Sequence, residues 1–144
     1  MAEQSYANHR RYVPGYHVVL LLLLLATLIG SFVNLYKSWG DESRFYGAAL
    51  IVALALAASI MFFFLRDFAL KAQDRAIRAE ENLRHYVLTG ELLDPRLTIR
   101  QVIGLRFAAD EEFVELARSA AEHGTSEEEI KKSIRSWRAD TYRV

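Results

Sequence analysis

Cysteine is absent from the 144 residues, which removes disulfides, thiolate zinc sites, cysteine-ligated clusters and cysteine nucleophiles together. Proline is scarce, with only two residues, Pro14 and Pro95, so little in the chain forbids long helices. An excess of one charge is missing too, Lys plus Arg being 18 and Asp plus Glu 18. Signature motifs of catalysis are lacking as well: there is no phosphate-cradling glycine loop, no GxSxG and no HExxH. The four histidines, His9, His17, His85 and His123, are dispersed. Glu81 and His85 share a helix face at i,i+4, but a metal site needs three or four converging ligands. These absences leave no nominated catalytic residue, cofactor site or metal site, and no small-molecule substrate; the chain reads as a non-enzyme.

What the sequence does have is hydrophobic residues, 52% of the total, gathered into the first half while the charges occupy the second. Val18 to Leu35 carries no charge, and its 18 residues reach about 27 Å, close to a hydrocarbon core of about 30 Å. Phe45 to Leu65 is also uncharged, and its 21 residues reach about 32 Å. Residues 36–44 between them are too few for anything but a hairpin. A signal peptide is the competing reading of the first run, because Arg10 and Arg11 precede it, but the run is long for an h-region and no small-x-small cleavage site follows. Arg10 and Arg11 before the first span, and Arg66, Lys71, Arg75, Arg78 and Arg84 after the second, outnumber Lys37 and Arg44 in the connector. Both termini are therefore expected on the cytoplasmic side. Tyr12 and Tyr16 at one interface, and Tyr36, Trp39, Phe45 and Tyr46 at the other, suit aromatic belts. For lateral packing the first span offers Ala26 with Gly30 and Thr27 with Ser31, and the second Ala49, Ala53 and Ala57; these small-residue ridges are expected to meet within the hairpin or to receive a neighbouring protein.

From Arg66 to Leu88 a helix is expected to continue from the second span, with Ala69, Ala72, Ala76, Leu83 and Val87 along one stripe and Asp74, Arg75, Arg78, Glu81 and His85 opposite. A narrow alanine-rich stripe suits close packing against another helix. Gly90 is the expected stop and Asp94-Pro95 a loop. Three short helices should follow. Thr98 can cap the first, with Ile99, Val102, Ile103 and Phe107 inward. The second starts near Asp110, carries Phe113, Leu116, Ala117, Ala120 and Ala121, and ends at Gly124. The third opens with a Ser126/Glu129 capping box and carries Ile130, Ile134 and Trp137. Glu127 with Lys131 and Glu128 with Lys132 are i,i+4 pairs.

The fold class expected is all-α: a two-helix transmembrane hairpin whose second span extends into a cytoplasmic helix, followed by a small three-helix C-terminal domain. Its divisions are a tail over 1–17, spans over 18–35 and 45–65, the loop 36–44, an amphipathic helix and loop over 66–95, and the terminal domain over 96–144. A body of about 49 residues without disulfide or metal is marginal alone. It should lean on the preceding helix, a second copy or another subunit. The leading functional expectation is an accessory or scaffolding subunit of a larger membrane assembly, with the bilayer and other membrane subunits, or itself, as partners. One alternative is a membrane-tethered regulator binding a signalling partner or nucleic acid through its C-terminal helices, the nucleic-acid form using Leu116 to Trp137 as a helix-turn-helix. Against it, Glu127, Glu128 and Glu129 head the would-be recognition helix, and residues 96–144 hold nine basic and nine acidic residues, so nucleic acid is disfavoured. A second alternative is a self-assembling homo-oligomer. Trp137 with its neighbouring cations is a candidate for contact with protein or headgroups.

The stretches YANHRRYVPGYH, AQDRAIRAEENLR, LTIRQVIGLRFAADEEF and IKKSIRSWRAD together cover nearly the whole chain, and in them it resembles small bacterial two-span membrane proteins collected as a domain of unknown function. The resemblance implies a bacterial cytoplasmic (inner) membrane location and an N-in, C-in hairpin, and it brings no activity, cofactor or catalytic residue. Arg75, Arg78, Arg100, Arg106 and Arg138 fall in these stretches and are candidates for polar partner contacts.

Overall fold

The computed structural model describes residues 4–8 and 12–140. Arg10, Arg11 and His9, cited above, lie outside the described residues. Among the described residues every regular element is helical, and a single antiparallel bridge joins Ala108 to Trp137. The chain forms two compact units, residues 12–68 and residues 1–11 with 69–144.

In the first unit a π-helical turn, Gly15–Leu20, runs into α1, Leu21–Lys37. Pro14 precedes that turn and lacks the N–H a helix interior would need. Together they form 23 residues, Gly15–Lys37, longer than the uncharged run because the helix continues through His17 at one end and Lys37 at the other. Ser38 to Asp41 make the reversal, with Gly40 at φ 90, where the absence of a Cβ avoids strain. Asp41 then accepts bonds from the N–H and hydroxyl of Ser43, relieving the first turn of α2. This helix, Glu42–Thr89, holds 48 residues and so extends about 72 Å. Two of the helices are thus long and apolar enough to cross a membrane.

Leu24, Leu28, Ser31 and Leu35 of α1, with Ser38 just after it, are covered, as are Phe45, Ala48, Val52, Ala55, Ser59 and Phe62 of α2. Alternating spacings of three and four are those of a left-handed helix pair, so these rows face each other. Tyr16 stacks on Phe62 at 4.4 Å and donates its hydroxyl to the Phe62 carbonyl. Ser31, Ser38 and Ser59 turn their hydroxyls back to carbonyls of their own helices, which removes the cost of placing them in an apolar seam. Of the small-residue ridges expected to meet inside the hairpin, Ser31 lies in the seam and the others largely do not. Ala49 is half covered, whereas Ala26, Gly30, Ala53 and Ala57 face outward, and a Cβ added at Gly30 would meet nothing. A strict four-residue ridge drifts around the helix, whereas the observed seam keeps a 3.5-residue average and takes Ala48 and Ala55 instead.

In the second unit, the helices are α3, Ile99–Leu105, α4, Asp110–His123, and α5, Glu127–Ser133. Thr98 caps α3 in a reciprocal box with Gln101, and Ser126 does so for α5 with Glu129. Gly90 and Gly124 stop their helices at φ 81 and φ 65, the left-handed conformation that glycine adopts at least cost. Residues 101–108 are buried without a break, so α3 and the turn after it form the centre on which the others pack. Gly104 makes this possible, since a Cβ there would stand 3.0 Å from the Glu127 carbonyl oxygen and 3.3 Å from Ile130. Ile77 of α2 joins Leu97, Val102, Leu105, Phe113, Ala117 and Ile130 in the core, a burial worth roughly 1.5–3 kcal/mol. The terminal body therefore leans on the preceding helix, one of the supports expected of it.

Candidate functional site

A cluster of covered polar residues forms where α2, the start of α4 and the chain after α5 converge. Arg84 is the hub. Its Nε donates to Asp110 Oδ1 at 2.7 Å, its Nη1 to Glu81 Oε2 at 3.0 Å and its Nη2 to the Ala108 carbonyl at 2.7 Å, with the guanidinium 4.2 Å above the Phe113 ring. Glu81 is itself buried, and its second oxygen lies 3.6 Å from Arg138 Nη1. An isolated carboxylate there would cost several kcal/mol. Two cations make its burial tolerable and bind α2 to the body.

The chain beyond α5 departs from the helix expected through Trp137. Ile134 turns extended, ψ 124, and competing partners explain why. The Glu112 carboxylate accepts the N–H groups of Arg135 and Ser136 at 3.1 and 2.9 Å. Ala109 N–H donates to Ser136 O, and Arg138 N–H to Phe107 O. Trp137 stacks on Phe107 at 4.7 Å, an attractive contact beyond its burial. This ends the expected continuous second helix of a helix-turn-helix at Ser133.

Onto this extended segment folds the start of the chain. The Gln4 amide pairs with the backbone of Asp140 in both directions, accepting from its N–H at 2.7 Å and donating to its carbonyl at 3.1 Å, and also accepts from Trp137 Nε1 at 3.4 Å. Tyr6 donates its hydroxyl to Glu128 at 2.7 Å, a bond that raises its pKa. Arg106 lies beneath, 7% exposed. Its Nη1 is 3.1 Å from Asp140 Oδ2 but off the hydrogen-bond direction, and neither Nη1 nor Nε has a hydrogen-bond partner among the described residues. Burial lowers its pKa, which Asp140 partly offsets. Side-chain groups that grip main-chain amides and carbonyls in this way suit the arrangement to holding extended polypeptide.

The sequence-nominated contacts are divided by the structure. Arg106 is turned inward to Asp140. Arg78 donates to the Leu97 carbonyl at 3.4 Å, and Arg138 serves Glu81. Arg100 is 75% exposed and 3.7 Å from Glu127, while Arg75 is exposed. The Ala72, Ala76, Leu83 and Val87 side of α2 is open, Ala69 being half covered. The opposite side, with Ile77, Glu81 and Arg84, is the one that packs on the body. His85 points Nδ1 at the Glu91 carbonyl, 2.8 Å away. Sequence reasoning missed Gln101, whose buried Nε2 donates to Ala120 O and Thr125 O while Oε1 accepts from Thr98 N–H; its place as third residue after a Thr cap was the available signal. Gln101 forms part of a groove of about 350 Å³ with Arg96, Thr98, Gly124 and Ser126, where the Arg96, Thr98, Gln101 and Ser126 side chains already have partners. No trio of His, Asp or Glu able to hold a metal occurs among the described residues.

Comparison with known proteins gives one match. The model of DUF6526, described as a family of unknown function, covers residues 1–144. No curated protein and no solved structure matches the chain.

Proposed function

The chain belongs to the DUF6526 family of unknown function, and on that premise we propose that it is a non-catalytic integral membrane protein, an accessory or scaffolding subunit of a larger assembly in a bacterial inner membrane. The observation that carries this reading is the outward placing of Ala26, Gly30, Ala53 and Ala57. Without a hydrophobic force between helices in lipid, association depends on close backbone approach, which small residues permit. The hairpin's own seam leaves these ridges to a companion. The two-span topology puts both termini on the cytoplasmic side, where positive charge outnumbers that of the connector. The bonds between Gln4 and Asp140 support a common side for the two ends of the described chain.

The test is purification of the tagged full-length protein in mild detergent, with native mass measurement. A fixed stoichiometry with a companion membrane subunit is expected, lost when Gly30 and Ala53 are replaced by Leu while membrane insertion persists. Recovery of the chain with no companion subunit would overturn the subunit reading. Labelling of single cysteines from outside the membrane checks the topology: Trp39→Cys is expected to react and Arg96→Cys to be protected.

A further inference from the structure

We propose that α2 pairs, in parallel, with α2 of a second copy of this chain through the stripe between Ala69 and Val87. This rests on the membrane reading above and names one partner of the same assembly. Ala69, Ala76 and Leu83 alternate with Ala72, Ala79 and Tyr86 at spacings of four and three, and all except half-covered Ala69 are exposed. That is the a/d repeat of a coiled coil with no polar residue in its seam. On the same helix, the positions that would face water in a coiled coil are those that the body covers, Ile77, Glu81 and Arg84 among them. The stripe is the apolar side that the chain itself leaves open, and it includes large groups: Leu83 and Val87 are 63% and 75% exposed.

Charge selects the occupant. In a parallel pair a residue flanking the seam meets the residue five positions later on the other helix. Arg75 flanks one edge and Glu80 the other, five positions on. Both are exposed, and neither forms an ion pair within the described chain. A second copy placed in parallel brings Arg75 to Glu80 of the second copy, twice by symmetry. Antiparallel pairing would set each edge against its like. Two chains inserted alike in one membrane run parallel, so the topology and the charges require the same arrangement. The stripe reaches about 27 Å, less than the three to four heptads that sustain a free-standing coiled coil. Alanine at four of six seam positions allows close approach, and confinement to a bilayer raises the effective concentration.

Because the chain has no cysteine, single-cysteine variants of the full-length protein can be oxidised in native membranes and each carries one thiol. Ala72→Cys, Ala76→Cys, Ala79→Cys and Leu83→Cys should give disulfide dimers, and Lys71→Cys, exposed on another side, several-fold less. In the Ala76→Cys background, Arg75→Glu or Glu80→Arg alone should lower the dimer yield several-fold. Co-expression of the two differently tagged variants should restore it as a mixed dimer. Membrane-inserted protein without this periodicity, or with cross-links only to a different protein, would overturn the second copy as occupant and leave the membrane reading standing. Protein recovered outside the membrane fraction would overturn both.

Discussion

Gln101 shows how much one side chain can hold in a small body. Its amide joins the start of α3, the end of α4 and the loop before α5 through three main-chain groups. Gln101→Ala takes the side-chain partner from the Thr125 carbonyl and the Thr98 N–H, and one of two donors from the Ala120 carbonyl, which keeps the Gly124 N–H; a loss of about 1–3 kcal/mol is expected. Gln101→Glu should do no better, since a carboxylate would face two carbonyl oxygens. Denaturant unfolding of the detergent-solubilised full chain, followed by Trp137 fluorescence in a Trp39→Phe background, measures both; stability within 0.5 kcal/mol of the parent would contradict the assignment. Gly104 is a second pressure point. Gly104→Ala should cost about 1–3 kcal/mol, because the Glu127 carbonyl at 3.0 Å is backbone and cannot swing aside. Unchanged unfolding would mean that α3 and α5 part more easily than their spacing implies.

At the scale of elements, the helix boundaries carry a pH dependence. Hydrogen bonds from the hydroxyl and N–H of Ser126 hold the Glu129 carboxyl below its ordinary range. Asp94 is lowered to about 2, first by the Arg96 side chain and then by its N–H. A carboxyl depressed on folding stabilises fully above its unfolded pKa of about 4 and loses that contribution as pH falls through the folded value. Amide exchange in the first turn of α5 should therefore quicken from about pH 4 downward, relative to other helices. Glu129→Gln, which retains the reciprocal box as Gln101 does in α3, should abolish the acid effect; persistence of the effect would assign it to another group. The Ser126/Glu129 box and the Thr98 cap were legible in the sequence because a cap is decided within four residues, as were the stops at Gly90 and Gly124. The hairpin and the three short helices were legible from apolar periodicity. Legibility ended where distant groups compete. Trp137 has helical spacing from Ile130 and Ile134, yet the Glu112 carboxylate and the Phe107 ring draw it out of the helix. Glu81 reads as part of a charged face and is buried only because Arg84 and Arg138 come to meet it. The outward ridges of the hairpin were visible as small residues, but their side was decided by the packing of Leu24, Leu28 and Val52.

For the molecule as a whole, the first described residues are a working part of the last. Gln4→Ala with Tyr6→Phe removes the amide pair and the bond to Glu128 together. A lower unfolding midpoint is expected, accompanied by a red shift of Trp137 emission as Nε1 passes to water. Unaltered emission and stability would show that the segment contributes nothing to the body. The bonded groups stand 136 positions apart, and this has a consequence for how the protein is made. Gln4 leaves the ribosome long before Trp137 and Asp140 exist, so through most of synthesis it has nothing to close upon. Both apolar helices emerge in that interval and, in the topology proposed, enter the bilayer first. The clasp of Gln4 on Asp140 therefore forms after both helices are in place, and only a chain translated past Asp140 can complete it.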